Sequence, residues 1–192
     1  MRVISLQTKP VVIENQTLLK EKKPEFLSSF EKVISISAKA ICRVSTKGSI
    51  KFCNTEFIEN SEFFEKDLIN NSIDTIKHPE MPEIISLVIQ NNLEQKRDIV
   101  AIVKNKTKFG KFFWTVSKYT PNTTDNFQIA YQIESTGISE FAKTEITKLY
   151  NKLYKIEQNT DVVTASKYLI GFLEEKGMSY SAYIKQLIEK SL

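Results

Sequence analysis

The chain has 192 residues, of which 41% are hydrophobic and 26% charged, an ordinary globular composition that excludes a disordered or low-complexity protein. Its net charge is +4, and 24 of its 27 basic residues are lysines spread along the whole sequence rather than gathered in a nucleic-acid-binding tract. No apolar run is long enough for a membrane span, and the N-terminus lacks a signal-peptide pattern. We therefore expect a cytoplasmic protein that does not bind nucleic acid.

Few residues are available for catalytic or metal chemistry. Cys42, Cys53 and the single histidine, His78, are too few for a disulfide framework or a zinc site made of Cys and His alone. The two cysteines are predicted to be small buried side chains on adjacent strands. Because the sequence has no Gly-rich phosphate loop and no nucleophile elbow, we expect that the protein is not an enzyme.

The first 37 residues divide into two parts. Residues 1–24 contain two prolines and a charged run without a sustained period, which predicts a flexible N-terminal tail. Residues 25–37 carry apolar side chains along one helical stripe, which predicts an N-terminal helix. The stripe consists of Phe26, Leu27, Phe30, Val33 and Ile34.

Residues 38–137 predict a sheet interrupted by helices. Alternating apolar positions around a turn at Gly48 indicate a hairpin of two strands, at 40–44 and 50–53. Short helices are predicted at 54–60 and 64–69, followed by a longer helix from Pro82. Three further strands are predicted at Arg97–Lys104, Lys111–Thr120 and Phe127–Glu134. The order indicates an α+β fold, a five-stranded antiparallel sheet with helices on one face and a hollow for a small ligand beneath the long helix.

Four strings narrow this prediction: GSIKFCNTEF at 48–57, IKHPEMP at 76–82, IVKNKTKFG at 102–110 and FWTV at 113–116. Together they resemble the PAS domain of bacterial aerotaxis receptors over residues 38–137, without the transmembrane and methyl-accepting regions of those receptors. The resemblance implies a PAS fold and a redox or energy sensor that binds FAD non-covalently. It also implies signalling through a separate membrane-bound methyl-accepting chemotaxis receptor.

The same resemblance suggests the cofactor-binding residues. It places Lys77, His78 and Glu80 at the flavin site, where a lysine can meet phosphate, and it adds Asn105 and Trp114 from the other strings. Two alternatives stay open. His78 could instead cap or pack the entry to the long helix, and Trp114 could be ordinary core.

Two positions depart from the family pattern. Gln90 and Ile99 stand where the family tends to carry tryptophan, so part of the surface that would stack on a flavin ring is missing.

Residues 138–192 return to a helical period and predict a C-terminal helical extension for output or interaction. Its first stripe has the 4, 3, 4, 3 spacing of a coiled-coil seam, formed by Ala142, Ile146, Leu149, Leu153 and Ile156. This seam predicts either a homodimer or receptor contact through the helices, or an amphipathic helix folded back on its own sheet. Two more amphipathic helices follow, at 162–173 and after Ser179.

Three functions fit these observations. The first is the FAD-binding energy sensor that signals through a chemoreceptor. The second is a PAS module without ligand that serves as an interaction or dimerisation adaptor. The third is a PAS sensor of another ligand such as haem, for which His78 is the one imidazole in the chain.

Overall fold

A computed structural model describes residues 29–122 and 130–190. Its elements in chain order are β1 (Ala40–Val44), β2 (Ile50–Cys53), α1 (Thr55–Ser61), α2 (Glu65–Leu68), a 3₁₀ turn (Ile73–Ile76), α3 (Glu83–Glu94), β3 (Ile99–Lys106), β4 (Phe112–Pro121), β5 (Tyr131–Thr136), α4 (Glu140–Asn159), α5 (Val162–Glu175) and α6 (Tyr180–Glu189).

The five strands form one antiparallel sheet in the order β2-β1-β5-β4-β3. Helices α1 to α3 connect β2 to the opposite edge strand, β3, and therefore cross the sheet. The predicted α+β fold and five-stranded antiparallel sheet are confirmed. The predicted hairpin is also present, and it places Cys42 directly opposite Cys53 with both side chains buried.

Alternation along β3 and β4 gives the sheet two different faces. The pairs Val103–Thr115 and Asn105–Phe113 face α3, on what we name the inner face. The neighbouring pair Ile102–Val116 faces the other way, on the outer face. The predicted strands are therefore correct in number, although β3 begins two residues later than expected and Phe127–Ile129 lie outside the described residues.

The C-terminal helices cover the outer face at the β3 side of the sheet. Trp114 of β4 packs there against Tyr150 of α4, with ring centroids 6.1 Å apart. The apolar stripe of α4 is buried within this chain, in a cluster that also contains residues of α5 and α6. Of the two alternatives for the predicted seam, the structure shows the helix folded back on its own sheet. The seam is therefore buried within one chain.

The predicted N-terminal helix is wrong for the part that the structure describes. Residues 29–37 are not helical, and Phe30 and Lys32 pair their backbones with Phe112 at the start of β4. This segment can add to the sheet because β5 pairs only with residues 116–121 of β4, which leaves the first half of β4 without that neighbour. The predicted stripe does not pack as one face, since Phe30 is 73% exposed and Val33 78%, whereas Ile34 is buried. The predicted tail and residues 25–28 lie outside the described residues.

Candidate functional site

A cavity of about 540 Å³ lies between α3 and the inner face of the sheet, within the range of about 300 to 1,000 Å³ that is usual for small-molecule sites. Helix α3 contributes Ile89, Gln90 and Leu93 to its wall. Strand β3 contributes Val103, and the sheet supplies further apolar side chains such as Phe113. The predicted hollow beneath the long helix is therefore present, and its walls are mainly apolar.

A row of polar side chains crosses the floor of this cavity from β3 to β5. Asn105 donates a hydrogen bond from Nδ2 to Thr115 Oγ1 at 3.3 Å, Thr115 and Ser117 lie 3.0 Å apart, and the Ser117 and Ser135 hydroxyls lie 2.7 Å apart. All four residues are at most 8% exposed. We name Asn105, Thr115, Ser117 and Ser135 the polar row. Such groups are costly to bury unless each finds a partner, and here each side chain has one within the row. The row gives the cavity a polar strip that suits a ligand with polar atoms of its own.

Asn60 is the second polar feature of the cavity wall. Its Nδ2 is buried and has no hydrogen-bond partner. The side chain is held in place by helix α1, which starts at Asn54. Asn54 Oδ1 accepts from the backbone N–H groups of Phe57 and Ile41, so the helix is fixed to β1. An orphaned donor of this kind is expected to meet an acceptor on a bound molecule.

Two tyrosines form a further part of the cavity wall. The rings of Tyr119 and Tyr131 lie 6.3 Å apart, and both line the cavity. Burial, and after it the neighbouring phenol, raises the pKa of Tyr119 above its ordinary value. Burial, and after it the Cys42 thiol, raises the pKa of Tyr131. Both phenols are therefore neutral donors at physiological pH.

The five predicted cofactor residues do not form one site. Lys77 and Asn105 both line the cavity, and their backbones are joined by a bridge between the entry to α3 and the edge of β3. Asn105 also begins the polar row. These two positions are therefore the ones that a cavity ligand would reach.

His78 lies beside the cavity rather than in its lining. The residue is 4% exposed, its Nδ1 accepts the backbone N–H of Glu80 at 3.1 Å, and its ring meets that of Phe112 edge-on with centroids 6.0 Å apart. Its carbonyl accepts from Met81 N. This is the alternative in which His78 shapes the entry to the long helix. The ring does not line the cavity, because its Nδ1 is turned towards the local backbone, and a role for His78 in ligand binding stays a prediction.

Glu80 and Trp114 belong to the other side of the sheet. Glu80 pairs with Lys104, whose Nζ lies 2.8 Å from the carboxylate, and both residues line a groove on the outer face next to α4. Trp114 lines the same groove and is 7% exposed against Tyr150. Of its two alternatives, Trp114 is core. The prediction of both residues as cofactor ligands is corrected on this geometry, because alternation places Trp114 on the face opposite Thr115.

The sequence reasoning missed Asn60, Thr115, Ser117 and Ser135. A signal for two of them was present in β4, where one face reads Phe112, Trp114 and Val116 and the other reads Phe113, Thr115, Ser117 and Tyr119. The more polar face is the one that meets the cavity. For Asn60, a polar residue on a short helix, the sequence contains no such signal.

The described residues contain neither a candidate metal-binding cluster nor a candidate membrane-spanning helix. In residues 29–122 and 130–190, no cluster of His, Cys, Asp and Glu is arranged to hold a metal ion. Within the same residues, no helix has the length and apolar character needed to cross a membrane.

Comparisons with known proteins agree with the arrangement seen here at the level of the fold. No protein-family model matches the sequence. Similar solved structures include the PAS domain of a protein from Colwellia psychrerythraea, with 18% identity, a TM-score of 0.47, and coverage of 52% of this chain and 86% of that one. A light-oxygen-voltage domain studied with a flavin analogue has 19% identity, a TM-score of 0.48, and coverage of 59% and 87%.

A third similar structure is the light state of the blue-light photoreceptor Aureochrome1 LOV, with 16% identity, a TM-score of 0.47, and coverage of 64% and 93%. Identities this low concern the fold alone. The five-stranded antiparallel sheet, with α1 to α3 crossing it between β2 and β3, is the α+β fold that the sequence predicts.

Proposed function

We propose that this protein is a sensor that binds a flavin, FAD, in the cavity between α3 and the sheet, and signals a redox or energy state through its C-terminal helices to a membrane-bound chemoreceptor. The observation that carries the proposal is the polar row, with Asn60, in a cavity whose surface is mainly apolar and whose wall also carries charged side chains such as Lys77. A ligand that suits such walls has flat apolar surfaces and a polar edge.

The isoalloxazine ring of a flavin has this character, since it is planar and carries two carbonyl acceptors on either side of an N–H donor. The Asn60 Nδ2 is available to donate to one such carbonyl. Asn105 uses its Nδ2 on Thr115, and its amide oxygen can accept from a ring N–H. Aliphatic contacts from Ile89 and Leu93 would cover the ring from the α3 side.

Lys77 supplies a cation at the cavity wall, which suits the phosphates of FAD. When bound, a flavin supplies reversible one- and two-electron chemistry to the site. Gln90 lines the cavity and Ile99 is buried on the inner face at the positions where the family tends to carry tryptophan, so at these two positions the side chains are amide and aliphatic rather than aromatic. We expect incomplete occupancy after purification for this reason.

The haem alternative is disfavoured by the position of His78. It is the single histidine of the chain, and its imidazole is outside the cavity lining and accepts from the Glu80 backbone. A haem iron in this cavity would lack a histidine ligand. The ligand-free adaptor remains the outcome to expect if no flavin binds.

A visible absorption spectrum of the purified full chain tests the proposal. Cofactor-free protein is incubated with excess FAD and passed over a desalting column, and we expect flavin absorbance to elute with the protein. Protein that elutes without flavin absorbance would rule out the FAD sensor and support the adaptor. The receptor partner is tested separately, by co-precipitation of methyl-accepting receptors with the FAD-loaded chain and with the cofactor-free chain.

A further inference from the structure

Helix α3 begins without a cap of its own. The residue before its first turn is Pro82, which offers no side-chain acceptor. The acceptor comes from Glu157, near the end of α4. Its Oε2 accepts from Glu83 N and its Oε1 from Ile84 N, both at 2.9 Å. The first amides of a helix lack partners within it, and a carboxylate at that end also meets the positive end of the helix dipole. Glu157 therefore attaches α4 to the helix that forms one wall of the cavity.

The same helix is attached to the opposite wall through Tyr150. Its hydroxyl donates to the carbonyl of Ile102 in β3 at 2.8 Å. Tyr180 of α6 lies 2.6 Å from that hydroxyl, and since Tyr150 has a single hydroxyl hydrogen, Tyr180 is the donor of the second bond. Both tyrosines are at most 6% exposed. Burial raises the pKa of Tyr150 and of Tyr180, which keeps both hydroxyls protonated and the chain of bonds intact.

The two attachments lie on either side of the cavity. Helix α3 lines the cavity through Ile89 and its neighbours, and β3 lines it through Val103, the residue after Ile102. Tyr150 and Glu157 are seven positions apart on one continuous helix, which corresponds to about 10 Å along its axis. A helix is stiff over this length, so α4 acts as a spacer between α3 and β3.

We infer that α4 couples the width of the cavity to the docking of the C-terminal helices, with Glu157 and Tyr150 as its two positioning residues. The cavity is formed while both attachments are made, so the docked helices belong to the binding-competent form. A ligand that fills the cavity stabilises this docked form. By linkage, docking strengthens ligand binding by the same factor that the ligand strengthens docking, so loosening either attachment weakens ligand binding.

This inference rests on the proposed function for its ligand, FAD. The contact between Glu157 and the first amides of α3, which we name the joint, can be tested without any ligand. In the cofactor-free full chain, Glu157→Ala should speed hydrogen exchange at the amides of Glu83 and Ile84 by about fivefold, the usual effect of losing a helix cap. Glu157→Gln keeps one acceptor oxygen and should fall between the variant and the parent. Glu145→Ala is the matched control, because the ion pair that Glu145 forms with Lys148 lies within α4 and its loss should leave these amides unchanged.

FAD titration supplies the second measurement. We expect Glu157→Ala and Tyr150→Phe each to raise the dissociation constant for FAD several-fold, and Glu145→Ala to leave it unchanged. FAD added to the parent should slow exchange across α4 to α6.

Exchange at Glu83 and Ile84 that is the same in Glu157→Ala and the parent would show that the joint does not exist. Faster exchange with unchanged FAD affinity would show that the joint is not coupled to the cavity. A parent that binds no FAD would defeat the proposed function, and the exchange experiment would still decide whether Glu157 holds α3.

Discussion

His78 illustrates how a residue with functional chemistry can serve the backbone. It sits between the edge of β3 and the first turn of α3, where its own N–H donates to the Lys104 carbonyl at 3.3 Å and its Nδ1 accepts from Glu80. These bonds hold the segment that carries Lys77 into the cavity wall. His78 thereby affects the cavity through the path of the chain and not through its imidazole.

We predict that His78→Ala destabilises the cofactor-free protein by about 2 kcal/mol, because it removes a buried ring and leaves the Glu80 amide without its acceptor. For a chain of this size the melting temperature should fall by about 4 to 8 °C. Affinity for FAD should change little once the protein is folded. His78→Asn can accept the same short-range bond and should recover part of the loss. Unchanged melting with weakened FAD binding would return His78 to the ligand site.

For Asn60 we expect a substitution to weaken FAD binding and not to destabilise the cofactor-free protein. Its buried Nδ2 lacks a partner in the cavity wall, and an unmet donor costs about 1 to 3 kcal/mol. Asn60→Leu, which keeps the branched shape and the number of side-chain heavy atoms, should therefore leave the cofactor-free protein as stable as the parent or more stable, while FAD binding weakens at least about tenfold. Asn151→Leu on the exposed part of α4 is the control and should alter neither property. A loss of stability without loss of FAD affinity would show that Asn60 serves the fold alone.

At the scale of the elements, the period of apolar residues predicts secondary structure but not which neighbouring surface each face contacts. Strands, helices and their order follow from the spacing of apolar residues, because each element buries one face against its neighbours. Spacing does not identify the surface that a face meets. On β4 the apolar set around Trp114 meets α4, and the set containing Thr115 meets the cavity. The described part of the predicted N-terminal helix is extended instead, because residues 30–32 find backbone partners at the start of β4. Of its stripe, Ile34 is buried whereas Phe30 and Val33 stay exposed.

The stripe of α4 is the clearest case, since its spacing suits a second chain as well as the same chain. Leu153 is fully buried and Leu149 4% exposed within the described chain. We predict that Leu153→Ala costs about 3 kcal/mol of unfolding free energy, from lost burial and the cavity it leaves. The matched control is Val163→Ala, because Val163 is 46% exposed on α5. Urea unfolding measures both. If Leu153→Ala kept the parent's stability but lost self-association, the stripe would be an interface after all.

At the scale of the whole molecule, the β3 side of the sheet and the C-terminal helices share one hydrophobic cluster, and a second cluster around Cys42 and Phe57 lies apart from those helices. A single cluster of buried residues joins Ile102 and Trp114 of the sheet to Leu149 of α4, Leu169 of α5 and Ile184 of α6. The cluster also reaches α3, so it extends around the β3 edge from the outer face to the cavity helix. The predicted boundary between residues 137 and 138 thus separates segments of sequence that bury their apolar surface together.

A shared core predicts cooperative unfolding, and the position of the one tryptophan makes this measurable. Trp114 lies between the sheet and Tyr150, so its fluorescence reports whether α4 is docked, whereas far-ultraviolet circular dichroism reports the helices and strands of the whole chain. We expect the two urea transitions of the full chain to coincide. A chain ending at Gly137 would expose Ile102 and Trp114 to water, and we expect it to lack a cooperative transition and to aggregate. Should the fluorescence change come first, or the shortened chain fold cooperatively, the sheet would have a core independent of α4 to α6.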